Sequence, residues 1–374
     1  MLPLFYVISH YSNLPFRAWE QRKFIEIINR LSKTSNSSIL PKVEYEDIIA
    51  EEGRLNKDIS NKFDSRKGIL FQPKNILYGK LRPYLKNWLY PDFKGVAVGD
   101  FWVFEAIEAT PRFIYNLIQS DSYQKVANDT AGTKMPRSDW TKVSNSSFFI
   151  PKESSEQKRI GTFFKQLDDT IALHQRKLDT LKQMKKGLLQ QMFPKSEEDV
   201  PKIRFADFDE EWYQRKLGEE FEKINERNDG SFGKTHWISV AKMYFVEPNK
   251  VLSNNIDTRT YVMRKGDIAF EGHSNTDFKF GRFVANDIGP GIVSELFPVY
   301  RHKTNYDNNY WKNAIQLEHI MAPIYSKSIT SSGNSSNKLD SKHFLNQKIY
   351  IADFEEQEKI GSIFKQLDNT IILY

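Results

Sequence analysis

Nineteen residues beginning at Glu156, EQKRIGTFFKQLDDTIALH, return two hundred positions later as EQEKIGSIFKQLDNTIILY, with 12 of 19 positions identical. Unrelated helices do not converge to that extent. The chain therefore carries one helical element twice, each copy preceded by roughly 150 residues of differing sequence. Such an order, module, helix, module, helix, constrains the fold to two comparable bodies joined by a constant element.

The first copy opens a longer run. From Ile160 the seam positions advance by alternating steps of four and three: Ile160, Phe164, Leu167, Ile171, His174, Leu178, Leu181, Lys185, Leu188 and Met192. Eight of these ten are apolar, with charges such as Lys165, Asp168, Arg176 and Lys182 between them, which is the spacing of a coiled-coil seam. His174 reads as a polar, register-setting position on it. About 36 residues at 1.5 Å each predict a rod of roughly 54 Å, closed by Pro194. Ile360, Phe364, Leu367 and Ile371 restart the seam, and the sequence stops about 18 residues into it. Antiparallel pairing of the copies would then leave residues near 156–173 without a partner and Ile160, Phe164 and Leu167 partly uncovered, predicting either weakened docking of a partner subunit on that side or self-association through the stripe.

Each module opens and closes alike. Trp19-Glu20-Gln21-Arg22-Lys23 matches Trp212-Tyr213-Gln214-Arg215-Lys216, and each module ends in a Gly/Ser/Asn-rich segment and an apolar strand, FFIP or IYIA, before the helix. Short strand-like runs fill the interior: KGILF (67–71) and GVAVGDFWVF (95–104), then KGDIAF (265–270) and GPGIVSELFPVY (289–300). Helices are predicted at Arg112–Val126 and Asn308–Ser326. KGILF and KGDIAF read as equivalent positions of one shared fold. The fold class is α+β: two similar domains separated and joined by long antiparallel coiled-coil helices with pseudo-two-fold symmetry. Boundaries are expected at 1–150 for the first recognition module, 151–200 for the central helix and linker, 201–350 for the second module, and 351–374 for a shortened distal helix.

Function classes narrow by exclusion. The chain has no cysteine, so disulfides and thiolate metal sites are ruled out, and a cytoplasmic location is expected. The apolar opening Met1–Tyr11 lacks a basic flank and a cleavage site, and no run is long enough to cross a bilayer. Gly230–Thr235 echoes a phosphate loop, but Asn228 stands where its first glycine belongs. Asp92 and Glu105 echo a nuclease carboxylate pair, but Ile107 replaces the lysine that should follow. The seven histidines show no metal-ligand spacing. Catalysis by this chain is not expected, nor a cofactor of its own.

The net charge is +6, and residues 1–150 hold 21 basic against 16 acidic side chains, a balance compatible with a polyanion partner. In the first module LYGKLRPYLKNW interleaves Lys80, Arg82 and Lys86 with aromatic residues; Lys134 and Arg137 follow in a Gly/Ser segment. In the second, FEGHSNTDFKFGR offers His273, Asn275, Lys279 and Arg282, with Asn334 and Lys338 nearby in sequence. Side chains of these types on loops can meet phosphates and base edges of duplex DNA.

The two helix repeats, the openings AWEQRK and EEWYQRKLGE, and the segment LYGKLRPYL together resemble the specificity (S) subunits of type I restriction-modification enzymes. The resemblance runs over nearly the whole chain. It implies a bacterial defence role: two target-recognition domains, each reading one half of a bipartite DNA sequence. Conserved antiparallel helices would set the distance between half-sites and dock two methyltransferase (modification) subunits, with restriction subunits in the full complex. Adenine methylation and cleavage, with S-adenosylmethionine, ATP and Mg, would belong to those partners. The helix-interface residues would be Ile160, Phe164, Leu167, Ile171, Leu178, Leu181, Leu188, Ile360, Phe364, Leu367 and Ile371. The competing reading is a coiled-coil adaptor that presents two protein-binding modules.

Overall fold

In the computed structural model the described residues are 19–130, 134–195, 200–251, 259–332 and 336–374, with the side chains of 331 and 332 left aside. The stretch before Trp19, where the sequence is irregular, lies outside them, as does Asn334. Two compact units divide the chain, Met1–Ala172 and Leu173–Tyr374.

The matching openings and closings of the modules pair with each other. Trp19–Lys23 lies antiparallel to Ser147–Pro151, with Trp19 opposite Pro151. Tyr213–Lys216 lies antiparallel to Lys348–Ile351, with Tyr213 opposite Ile351. Each unit is thereby tied shut by its own ends, directly before the repeated helix begins.

Inside the first unit, Phe101–Ala106 runs between Ile28–Leu31 and Ile76–Gly79, with Trp88–Leu89 at the edge. Its alternation sends Trp102 and Phe104 into a core with the helices Pro111–Gln119 and Asp121–Ala127. Val103 and Phe101 face the other way, onto a second sheet containing Gly68–Phe71 and Gly95–Ala97. The second unit repeats this plan: Val299–His302 lies between Phe221–Ile224 and Ile268–Glu271, while Thr260–Met263 pairs with Gly291–Ser294. Mixed helix and sheet content makes both units α+β.

This topology corrects two expectations. KGILF forms Gly68–Phe71, whose counterpart is Thr260–Met263; KGDIAF forms Ile268–Glu271, whose counterpart is Ile76–Gly79. The shared Lys-Gly misaligned them, because the turn before each inner strand is built by different residues, Lys74 at φ 72° and Gly266 at φ 90°. Each predicted long helix is also two. Ser120 caps Asp121–Ala127 by accepting from the Tyr123 amide, and Asn308–Ala314 is separate from Glu318–Ser328.

The first repeat starts a 38-residue helix, Ser154–Gln191 (the central helix), about 57 Å long. The second forms Phe354–Ile372 (the distal helix), capped by Asp353. Both repeats dock onto their units by the same bonds. Gln157 donates to the Pro151 carbonyl at 2.9 Å and accepts from the Thr110 amide at 2.8 Å. Gln357 donates to the Ala352 carbonyl at 2.9 Å and accepts from the Asp307 amide at 3.5 Å.

In the second unit the end of the central helix runs antiparallel to the distal helix. Phe193 meets Phe364 with ring centroids 6.1 Å apart, Lys185 pairs with Asp368 at 2.5 Å, and His174 lies against Tyr374 at 5.4 Å. Leu188, Leu189 and Leu367 join that core, with Ile360 and Phe364 fully buried; Leu178, Leu181 and Ile371 are half-buried. Among the described residues of the first unit the corresponding stripe is more exposed: Phe164 is 45% exposed, Leu167 37% and Ile171 67%, with Ile160 half-buried.

A half-buried histidine whose ring nitrogens are shut off from solvent gives the second unit a pH signature. His302 stacks on Tyr306 (centroids 3.8 Å) and packs on Phe221 and Trp311, and neither ring nitrogen has a hydrogen-bond partner among the described residues. Burial pushes its pKa down to about 3 from 6.5. The unfolded chain binds that proton more readily, so its contribution is complete above pH 6.5 and is lost as pH falls toward 3. The slope is up to about 1.4 kcal/mol per pH unit. His302→Phe is expected to flatten the urea midpoint against pH below pH ~6.5; an unchanged slope would assign the effect to other groups.

Candidate nucleic-acid interface

Each inner strand hands the chain to a loop that carries the candidate cations. In the first unit Ile76–Gly79 ends at a glycine whose Cβ would meet Asn87 at 3.0 Å. The following loop is stitched to residues 136–138: Arg82 donates its amide to the Pro136 carbonyl (2.7 Å), and Ser138 donates to the Lys80 carbonyl (2.8 Å). Folding thus brings Lys80, Arg82 and Arg137 together from segments over fifty residues apart. Lys80 and Arg137 share Asp100, at 3.5 and 3.0 Å. Burial alone would raise the Asp100 carboxyl, but those cations hold it below the usual range. Tyr45 locks the base of the loop, its hydroxyl donating to the Asp100 carbonyl and accepting from the Leu81 amide.

The tip of this loop is a short turn, Pro83–Leu85, bracketed by Arg82 at φ 50° and Lys86 at φ 54°. Two non-glycine residues in the left-handed region cost on the order of 1–2 kcal/mol each, so surrounding bonds must fix the shape. Lys86 pairs with Glu51 at 3.1 Å, and its carbonyl accepts from the Glu51 amide. Tyr84 is 56% exposed at the tip, and Lys134 and Met135 are exposed beside Arg137. The loop thus presents Lys80, Arg82 and Lys86 with Tyr84, and Arg137 is bonded to it through Asp100.

The second unit builds its loop at the same topological place. Ile268–Glu271 leads into Gly272, where a Cβ would lie 2.2 Å from the Asn337 carbonyl oxygen. The Asn337 amide donates back to the Gly272 carbonyl at 2.9 Å, so loop 272–281 is stitched to the strand Asn337–Leu339 that carries Lys338. Lys338 and Lys279 are exposed, and His273 is exposed with its ring nitrogen on Glu271. Asn275 and Arg282 each also give one polar atom to the loop itself. The Asn275 side-chain oxygen accepts from the amides of Asp277 and Phe278, both at 2.9 Å. Arg282 donates to the Ala241 carbonyl at 2.5 Å and covers the Phe278 ring at 4.7 Å.

That Arg282 bond points to a feature the sequence reading missed. Ile238–Ser239 and Tyr244–Phe245 form a hairpin whose turn holds Lys242, exposed, and Met243 at φ 48°. Tyr244 and Phe245 are 48% and 39% exposed. The lysine beside two exposed aromatics in AKMYF was the available signal. Gly230–Thr235 is a polar turn, with the Asn228 side chain accepting from the Gly230 and Phe232 amides. Among the described residues no three His, Cys, Asp or Glu groups converge as a metal site, and no helix is long and apolar enough to cross a membrane.

Residues 18–183 match the family model described as type I restriction modification DNA specificity domain. No curated protein matches the chain. Among solved structures, a type I restriction-modification system S subunit from M. genitalium superposes with a TM-score of 0.56 at 14% identity, covering 97% of this chain and 92% of that one. A chain from a structure concerned with complex assembly and conformational transition of the type I R-M system gives 0.53 at 16% identity, covering 97% and 93%. At such identities the likeness is one of fold.

Proposed function

We propose that this chain, whose residues 18–183 match the model of the type I restriction modification DNA specificity domain, is a specificity subunit whose two units each read one half of a bipartite DNA target. The observation that carries this reading is the recurrence of one device in both units. The inner strand, Ile76–Gly79 or Ile268–Glu271, delivers a cation-bearing loop that is stitched to a second basic segment by backbone bonds. The loops differ in every reading residue, so the two half-sites would differ. Lys80, Arg82, Lys86, Lys134 and Arg137 would serve the first half-site; His273, Asn275, Lys279, Arg282 and Lys338 the second, with Asn275 and Arg282 also helping to shape that loop.

The helices would set the half-site spacing and dock two methyltransferase subunits, to which adenine methylation belongs; cleavage belongs to restriction subunits, with S-adenosylmethionine, ATP and Mg bound there. The chain itself would be non-catalytic and act in the cytoplasm. The decisive experiment is adenine-methylation mapping of genomic DNA from cells expressing this chain with a cognate methyltransferase subunit. A split, asymmetric motif present only with this chain supports the reading; no chain-dependent motif with an active partner overturns it.

In vitro, binding to duplex carrying that motif should weaken steeply with salt, since released counterions drive binding to phosphates. Replacing both Lys80 and Arg137 with alanine should lower the log–log salt slope by about 2, roughly one for each phosphate no longer neutralised. Salt-independent binding would favour the protein-adaptor reading.

A further inference from the structure

Each unit carries a short hairpin beside its candidate loop, and the two hairpins match position for position. In each, a segment parallel to a sheet strand leads in: Lys42–Val43 beside Gly95–Ala97, and Trp237 beside Ile292. Ile48 then faces Leu55 and Ile49 faces Arg54; Ile238 faces Phe245 and Ser239 faces Tyr244. The next rung agrees as well. The Asn56 amide donates to the Asp47 carbonyl at 2.9 Å, and the Val246 amide to the Trp237 carbonyl at 2.7 Å. This register sets Glu51 against Ala241, Glu52 against Lys242, Gly53 against Met243 and Arg54 against Tyr244. Gly53 and Met243, at φ 64° and 48°, confirm the match.

The equivalent turns touch the far ends of the candidate loops and carry opposite charge. In the first unit the Glu51 amide donates to the Lys86 carbonyl at 3.0 Å; in the second the Ala241 carbonyl accepts from Arg282 at 2.5 Å. Charge on the first hairpin is answered locally, Glu51 by Lys86 at 3.1 Å and Glu52 by Arg54 at 2.5 Å. On the second, Lys242 is exposed and has no acidic partner among the described residues. Facing residues of a hairpin share a side, so Phe245 lies on the side of buried Ile238 and Tyr244 on the opposite one. Phe245 also rests against His236, with ring centroids 6.4 Å apart. Tyr244 is the ring left facing outward.

We infer, granted the DNA-reading proposal on which this rests, that the second unit's hairpin is a further contact to duplex DNA. Lys242 meets a backbone phosphate, and Tyr244 packs on the sugar beside it. Charge complementarity selects this occupant: an unpaired lysine and an outward aromatic ring adjoin the loop that carries exposed Lys279. Such a contact fixes the register of that loop on the duplex without reading a base. In the first unit Glu51 and Glu52 occupy the matching turn and would repel the same phosphate, so that hairpin stays off the duplex. The second half-site therefore has the wider backbone footprint.

The test is titration of the full chain onto a labelled duplex of mixed sequence over a series of salt concentrations, because phosphate contacts are independent of sequence. Lys242→Ala should weaken binding about five-fold or more and lower the log–log salt slope by about 1, whereas Lys242→Arg keeps both. Tyr244→Ala should weaken binding by about five-fold with the slope unchanged. Glu52→Gln, at the matching place in the first unit, should weaken nothing. All three side chains are exposed, so the variants should keep the parent's urea midpoint. If Lys242→Ala leaves the slope unchanged while replacing Lys80 and Arg137 still lowers it, this inference falls and the DNA reading stands. Weakening by Glu52→Gln equal to that by Lys242→Ala overturns the contrast between the hairpins. A chain that binds no duplex overturns both proposals.

Discussion

Phe364→Ala should destabilise the second unit by about 3–5 kcal/mol, while Phe164→Ala, the same residue of the other repeat, should cost under about 1 kcal/mol. The two share sequence context: Phe-Lys-Gln-Leu-Asp occurs in both. Their surroundings differ. Phe364 has no exposed surface and packs on Phe193 within the core of Trp212, Tyr310 and Ile360. Truncating it removes an aromatic ring and leaves a cavity that rigid neighbours cannot close. Phe164 is 45% exposed, so water replaces much of what alanine removes. Urea unfolding followed by hydrogen exchange at segments 193–212 and 354–372 would separate the units. Equal losses for the two variants would mean that Phe164 is as well covered as Phe364, and would refute the contrast in their burial.

The same pair shows how far the sequence could be read. The seam at Ile160, Phe164, Leu167 and Ile171 predicts a helix with one apolar face, and both helices form, because spacing alone specifies a face. Spacing does not say what lies against it. Cover at Ile360 and Phe364 comes from Met192 and Phe193, some 170 residues earlier, and depends on the chain's path after Gln191. The strands were legible by alternation but not by equivalence. KGILF and KGDIAF look alike locally, and only pairing partners assign one to Thr260–Met263 and the other to Ile76–Gly79.

At the candidate interface, residue type gave the loops and tertiary bonding decided their roles. Lys80 and Arg137 could be named from charge, yet nothing local indicates that Asp100 would hold them together. Asn275 and Arg282 have the chemistry of base readers, and each also gives one polar atom to the loop, the Asn275 side-chain oxygen to the turn at 275–278 and one Arg282 nitrogen to the Ala241 carbonyl. The hairpin at 238–245 lacks a charge cluster and stands out only through its exposed Tyr244 and Phe245.

Arg204→Met is expected to cost about 3 kcal/mol, and adding Glu356→Gln should recover a substantial part of it. Glu356 has no solvent exposure, and its two oxygens accept from Arg204 at 2.8 Å each. The Arg204 guanidinium is held above its ordinary range, chiefly by that hydrogen-bonded carboxylate. Removing the cation strands a buried anion, a larger penalty than the pair's net contribution. Glutamine keeps an acceptor for the Trp212 indole at Glu356's place while discharging the site. Rescue in the double variant would therefore assign the loss to charge. No rescue would assign it to the packed stem of Arg204 against its neighbours. In the first unit Glu156 accepts from the Trp19 indole and forms no ion pair among the described residues, so Glu156→Gln should move stability by less than about 0.5 kcal/mol. The contrast would show that the repeated glutamate contributes to stability as half of an ion pair in the second unit and not in the first.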